Sequence, residues 1–203
     1  MPQKKSVLVE RLGTNQVDEV VISPEITPFD GFPQKRAAMH TRTNQALSKC
    51  LIERCLDEVE LQYGRDHDGD VVTCFSGDEL SGNLIAWFLI VGEKRDIFRL
   101  LCTVEHKVPQ SKWASALSAA NEYHNTARFG RAYLHINEDQ PEAELYFDSQ
   151  IDLTEGVTET SLQGFIMLNL LGAHVFFEKA YKEKALFVDH QPKPTRKRRS
   201  KIA

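Results

Sequence analysis

The chain has 203 residues, 41% of them hydrophobic and 27% charged, which is the make-up of a soluble globular protein with enough length to bury a core. Its net charge of -4 hides an asymmetry, because residues 192–203 hold six basic side chains and no acid, leaving 19 basic against 29 acidic residues in 1–191. Four cysteines without CxxC spacing read as reduced thiols, and only three consecutive apolar residues follow the basic start, so a signal peptide is not expected and the expected address is the cytoplasm.

Two short β-type runs, Val7-Leu8-Val9 and Val20-Val21-Ile22, precede a segment punctuated by Pro24, Pro28 and Pro33 that also holds Phe29 and Phe32. Residues 1–41 read as an arm, 42–190 as the domain, and 191–203 as a basic, disordered tail. The first helix is expected over Asn44 to Leu61, where Leu47, Leu51, Cys55 and Val59 recur at four-residue spacing and Ile52 and Leu56 widen the stripe. Lys49, Glu53, Arg54 and Glu60 supply its wet face.

Three strands follow. Val71 to Phe75 comes after the turn-rich Asp66-His67-Asp68-Gly69-Asp70; Leu84 to Val91 is apolar on both parities, as a strand covered on both faces would be; Ile97 to Val104 alternates more cleanly. Hairpin-length loops make an antiparallel meander the economical arrangement. A second helix is expected from Pro109 to Asn125, with Trp113, Ala116, Leu117, Ala120 and His124 on its stripe. On that phase Asn121 and His124 are core residues with satisfied hydrogen bonds.

Strands Arg131 to Ile136 and Ala143 to Asp148 come next. Alternation turns Ala132, Leu134, Ile136, Ala143, Leu145 and Phe147 inward, and Arg131, Tyr133, His135, Glu144, Tyr146 and Asp148 outward. The last helix runs from Val157 to at least Phe177. Its strongly apolar part, about 16 residues with polar breaks, falls short of the ~20 needed to span a bilayer.

The order α-β-β-β-α-β-β-α, with Asp68-Gly69-Asp70 before the first strand, Asn121-Glu122-Tyr123-His124-Asn125 closing the second helix, Arg128-Phe129-Gly130-Arg131-Ala132-Tyr133-Leu134 entering the fourth strand, and Glu155-Gly156-Val157-Thr158-Glu159 before the last helix, resembles the YbjN family of bacterial sensory transduction regulators. The resemblance runs from about Asn44 to Tyr181. It implies an α+β fold like that of type III secretion chaperones, an antiparallel sheet packed by helices, homodimeric pairing and no catalytic activity, so it brings no catalytic residues with it.

The residues themselves offer little chemistry. Asp66, Asp68 and Asp70 alternate as in a calcium loop, but the glycine is fourth where such a loop needs it sixth, and Gly77 stands where a bidentate glutamate belongs. An acidic hairpin turn is the better reading. Seven histidines form no zinc or protease spacing, and the loop from Ser76 to Asn83 lacks the lysine and helix of a phosphate cradle. Gly130 to Ile136 approximates an RNA-recognition strand with Tyr133 as the stacking ring, although the strand follows a helix directly, which is the wrong order.

No catalytic residue, metal or cofactor is therefore expected. The expectation is a dimeric, non-enzymatic interaction module, a regulator or chaperone-like adaptor that binds a protein client, with no membrane span. Surplus apolar surface on the last helix points to Ile166, Leu170, Leu171, Phe176 and Phe177 as the protein interface. Arg131, Tyr133, His135 and Tyr146 form an outer sheet face. The alternative is a nucleic-acid-associated protein whose tail, Lys193, Arg196, Lys197, Arg198, Arg199 and Lys201, supplies affinity for phosphates and whose outer sheet face supplies further contacts.

Overall fold

Every position from Val71 to Phe75 and from Leu84 to Leu89 is buried, with Thr73 the one polar side chain among them, so these strands are shielded on both faces. The computed structural model describes residues 5–10, 17–22, 43–77, 81–137, 140–184 and 186, with the first two segments described by their strand pairing alone. β1 (Lys5–Glu10) and β2 (Val17–Ile22) pair antiparallel as a hairpin, and β2 lies beside the edge strand β3 (Gly64–Arg65).

The sheet then continues as β4 (Val71–Phe75), β5 (Leu84–Val91) and β6 (Ile97–Val104), a meander in which each strand pairs antiparallel with the next. β7 (Val108–Pro109) and β8 (Arg131–His135) both pair with β9 (Glu142–Asp152), which itself pairs with β6, giving seven strands in one sheet. The fold is the α+β arrangement expected. β9 runs four residues further than its apolar alternation suggested, because Ser149 to Asp152 continue the ladder against Ile97 to Leu100.

α1 (Lys49–Glu58) is shorter than its stripe implied. Ser48 caps it by accepting from the Leu51 N–H at 3.2 Å, and the preceding residues are instead held by a bridge in which Gln45 and Val157 exchange backbone hydrogen bonds of 2.9 Å. After one 3-10 turn, α2 (Trp113–Thr126) follows, and α3 (Glu159–Lys184) closes the domain. All three helices pack on one face, over a core that includes Leu51, Ile52, Phe88, Phe98, Phe147 and Leu170.

Two corrections concern the helices. α2 buries Ala116, Ala119 and Ala120 and leaves Leu117, Asn121 and His124 exposed, so its phase is rotated from the expected stripe. The half-buried Tyr123 sets it: the ring meets Phe147 and Phe176 edge-on at 5.7 and 5.2 Å, and the hydroxyl donates to the Phe129 carbonyl at 2.8 Å. α3 has 26 residues, and where its apolar part was expected to fall short of a membrane span, the helix is long and apolar enough by length and composition to cross one. Its place in the fold is that of a core helix, with Leu162, Ile166, Leu170, Ala173, Phe176, Phe177 and Tyr181 buried under the sheet.

Candidate functional site

The sheet face turned away from the helices carries two cross-strand rows. One runs Val72, Trp87, Leu101, Asp148, Arg131, and the next runs Cys74, Ile85, Thr103, Tyr146, Tyr133. The apolar members form a second cluster separate from the helix-side core, and β8 and β9 bring polar chemistry to its edge.

There the Asp148 carboxylate is fully buried and shared by two guanidiniums. Arg99 Nε reaches Oδ1 and its Nη2 reaches Oδ2, each at 3.0 Å, while Arg131 donates to Oδ2 from Nε at 3.2 Å and from Nη2 at 2.7 Å. Burial pushes the Asp148 carboxyl up, but the hydrogen bonds and charges of Arg99 and Arg131 outweigh it and hold the group below its ordinary range. An ionised carboxylate committed to two cations is not a free proton acceptor. Burial, followed by the Asp148 charge, raises the Tyr133 phenol, so neither group is poised for acid–base work near neutrality.

Around this cluster the aromatic rings pack on each other. Tyr133 and Tyr146 stack with centroids 5.6 Å apart, His135 meets Tyr146 edge-on at 6.2 Å, and the Arg131 guanidinium lies 5.7 Å from the Tyr133 centroid. Of the four residues expected on the outer face, all lie there. Arg131 alone is exposed, however, while Tyr133 and His135 are half-buried and Tyr146 is buried with its hydroxyl bonded to Glu144.

The five residues assigned to a protein interface are placed differently. Ile166, Leu170, Phe176 and Phe177 belong to the domain's own core, and only Leu171 is exposed. Sequence could not resolve this, because α3 has apolar groups on nearly every side and so no readable phase. Its outward side instead presents Leu168, Leu171 and Val175 at three- and four-residue spacing. Tyr123, which donates to the Phe129 carbonyl, would touch a Cβ at Gly172 at 3.4 Å, so the half-exposed Phe129 lies near the same turn of α3. A cavity of about 260 Å³ opens between α2 and α3 beside Val175, floored by Ala119, Tyr123 and Phe176 and rimmed by Lys179 and by a Lys184–Glu122 ion pair of 2.6 Å.

His124 is exposed and accepts the Ala132 N–H on Nε2 at 2.9 Å; it is a fastener between α2 and β8, not a core histidine. Asp66 accepts the Asp70 N–H on Oδ1 at 2.8 Å, and Lys49 Nζ sits 2.5 Å from the Gly69 carbonyl and 3.1 Å from Asp70, so the acid-rich stretch is the β3–β4 hairpin turn with a lysine at its side. Among the described residues no three His, Cys, Asp or Glu side chains gather to hold a metal. The basic residues from Lys193 to Lys201 lie outside the described residues.

A family model for YbjN, with the description "Putative bacterial sensory transduction regulator", matches residues 49–180. The chain belongs to the YbjN family. A solved structure, "Crystal structure of YbjN, a putative transcription regulator from E. coli", is similar with a TM-score of 0.58 at 10% identity, over 70% of this chain and 97% of that one. At that identity the likeness is one of fold. No curated protein matches. The glycines of two motifs that carry the YbjN resemblance have local reasons: a Cβ on Gly130 would lie 2.3 Å from the Phe147 ring, and one on Gly156 would lie 2.9 Å from the Gln45 carbonyl.

Proposed function

We propose that this YbjN-family chain is a non-enzymatic regulator that works by binding protein, and that the binding face is the outer side of α3 with the end of α2. What carries the reading is the row Leu168, Leu171 and Val175 with Phe129 near it, each between 38% and 54% exposed, next to an apolar cavity. Large apolar side chains grouped on a surface favour association, because pairing removes them from water. A second copy of the chain is the first occupant to test, since isologous pairing lets one helix face serve both partners.

The test is light scattering over a dilution series with the wild-type chain and Leu171→Asp/Val175→Asp. The expected result is a dimer that dissociates on dilution and a variant that is monomeric throughout. A wild-type chain that is monomeric at every concentration removes self-association as the use of this face. The nucleic-acid alternative rests on the tail, and its mark is affinity that falls steeply with salt and is lost when residues 192–203 are deleted.

A further inference from the structure

We infer that the cavity between α2 and α3 is a small-molecule site for an aromatic carboxylic acid, with the ring body held between the helices and the carboxylate on Lys179. Protein interiors leave few voids larger than a water molecule, yet this space measures about 260 Å³. Its cause is local. Ala119 of α2 and Ala180 of α3 are both buried and both line it, so the helices meet there with side chains that end at Cβ. On one side of the alanines the Tyr123 ring is wedged against Phe147 and Phe176, and on the other Lys184 is paired with Glu122 at 2.6 Å. The hole is thus framed by contacts the fold makes for itself, as in a preformed ligand site.

Its size and walls select a ring. An apolar cavity of about 150 Å³ takes up one benzene, so this one suits a body nearer two fused rings. The Tyr123 and Phe176 rings stand 5.2 Å apart at 63°, which offers an aromatic guest a ring to stack on or meet edge-on.

The polar groups at the mouth select the charge. Glu122 is already committed, accepting from Lys184 at 2.6 Å and from Ser118 at 3.0 Å, and those hydrogen bonds hold its carboxyl below the usual range. The Thr126 hydroxyl is turned back to the Glu122 and Tyr123 carbonyls at 3.2 and 3.1 Å, and the Tyr123 hydroxyl is spent on Phe129. Lys179 differs. Its contact with Glu183 is 3.9 Å long between side chains 57% and 58% exposed, beyond hydrogen-bond range, so its ammonium can turn to the mouth at little cost. An acid entering the cavity meets that ammonium, whereas a cationic guest would meet two lysines and one engaged carboxylate.

The inference does not depend on pairing through the outer side of α3. Val175 belongs to that row and to the cavity, but Leu171 does not line the cavity.

The test titrates the full-length chain with naphthalene-2-carboxylate and its neutral carboxamide, by calorimetry and by methyl NMR. The acid should bind one-to-one with a dissociation constant below about 1 mM, moving the methyls of Ala119, Val175 and Ala180 and not those of Ile52 or Val72. The carboxamide should bind more weakly, and Lys179→Gln should lower affinity for the acid about fivefold while leaving the carboxamide unchanged. Ala119→Leu should exclude both; if that variant does not fold, the wild-type methyl map and Lys179→Gln decide. Titration without saturation, shifts centred elsewhere, or a carboxamide that binds as tightly as the acid overturns the inference. Leu171→Asp should bind as the wild type does, and loss of binding there would place the ligand between paired copies and overturn a site within one chain.

Discussion

Arg131 and Asp148 stand directly opposite each other in the β8–β9 register, and Arg131 Nη2 lies 2.7 Å from a carboxylate that Arg99 also grips from the β6 side at 3.0 Å. One buried acid thus ties three strands at the polar end of the sheet. Replacing Asp148 with Asn leaves two guanidiniums around a neutral group, and the expected loss at pH 7 is about 3 kcal/mol. Arg131→Ala should cost less than about 1 kcal/mol, since its side chain is 63% exposed and its pairing is screened.

The same pair sets a pH signature. The Asp148 carboxyl is held below its ordinary 3.8 in the folded chain, the two arginines outweighing burial, so its contribution is fully present above that value and disappears as pH falls through the lower, folded one. Urea midpoints of wild type and Asp148→Asn, measured from pH 7 downward, should converge at the acid end and stay apart at neutrality. A constant gap would mean the carboxylate is not the group responsible.

Gly130 and Gly164 should respond to alanine in opposite directions. Gly130 has φ +69°, and its Cβ would meet the Phe147 ring. Left-handed backbone costs about 1–2 kcal/mol for an L-residue and overpacking a core adds about 1–3 kcal/mol, so Gly130→Ala should lower stability by about 3 kcal/mol. Gly164 is exposed within α3 with nothing within 4 Å of an added Cβ; alanine there should raise stability by about 0.5–1 kcal/mol. Thermal melts of the two variants provide the check.

Strands were legible from the residues wherever one parity was more apolar than the other, and the double-sided pattern of Leu84 to Val91 already signalled burial on both faces of this strand. Helix phase was harder. α2 is rich in alanine, so its stripe is weak, and the residue that fixes its rotation, Tyr123, does so through ring contacts and a hydroxyl bond to the Phe129 carbonyl. The outward parity of Arg131 and Asp148 was readable in the same way. Their union with Arg99 was not, because it depends on the β6–β9–β8 register joining residues 49 and 17 positions apart.

Val175 and Phe176 are neighbours in sequence with opposite duties. Phe176 is buried against Tyr123, its centroid 5.2 Å from that ring, whereas Val175 is half exposed at the mouth of the cavity. Phe176→Ala should cost about 3–5 kcal/mol through lost burial and the hole it leaves, and it should do so at every protein concentration. Val175→Asp should change the stability of the isolated chain by no more than about 0.5 kcal/mol. If the outer side of α3 pairs two copies, the wild-type urea midpoint will rise with protein concentration, because only the folded state associates, and Val175→Asp will flatten that dependence without moving the low-concentration limit. A midpoint that is already independent of concentration in the wild type would leave Val175 a surface valine and assign the face to a different protein.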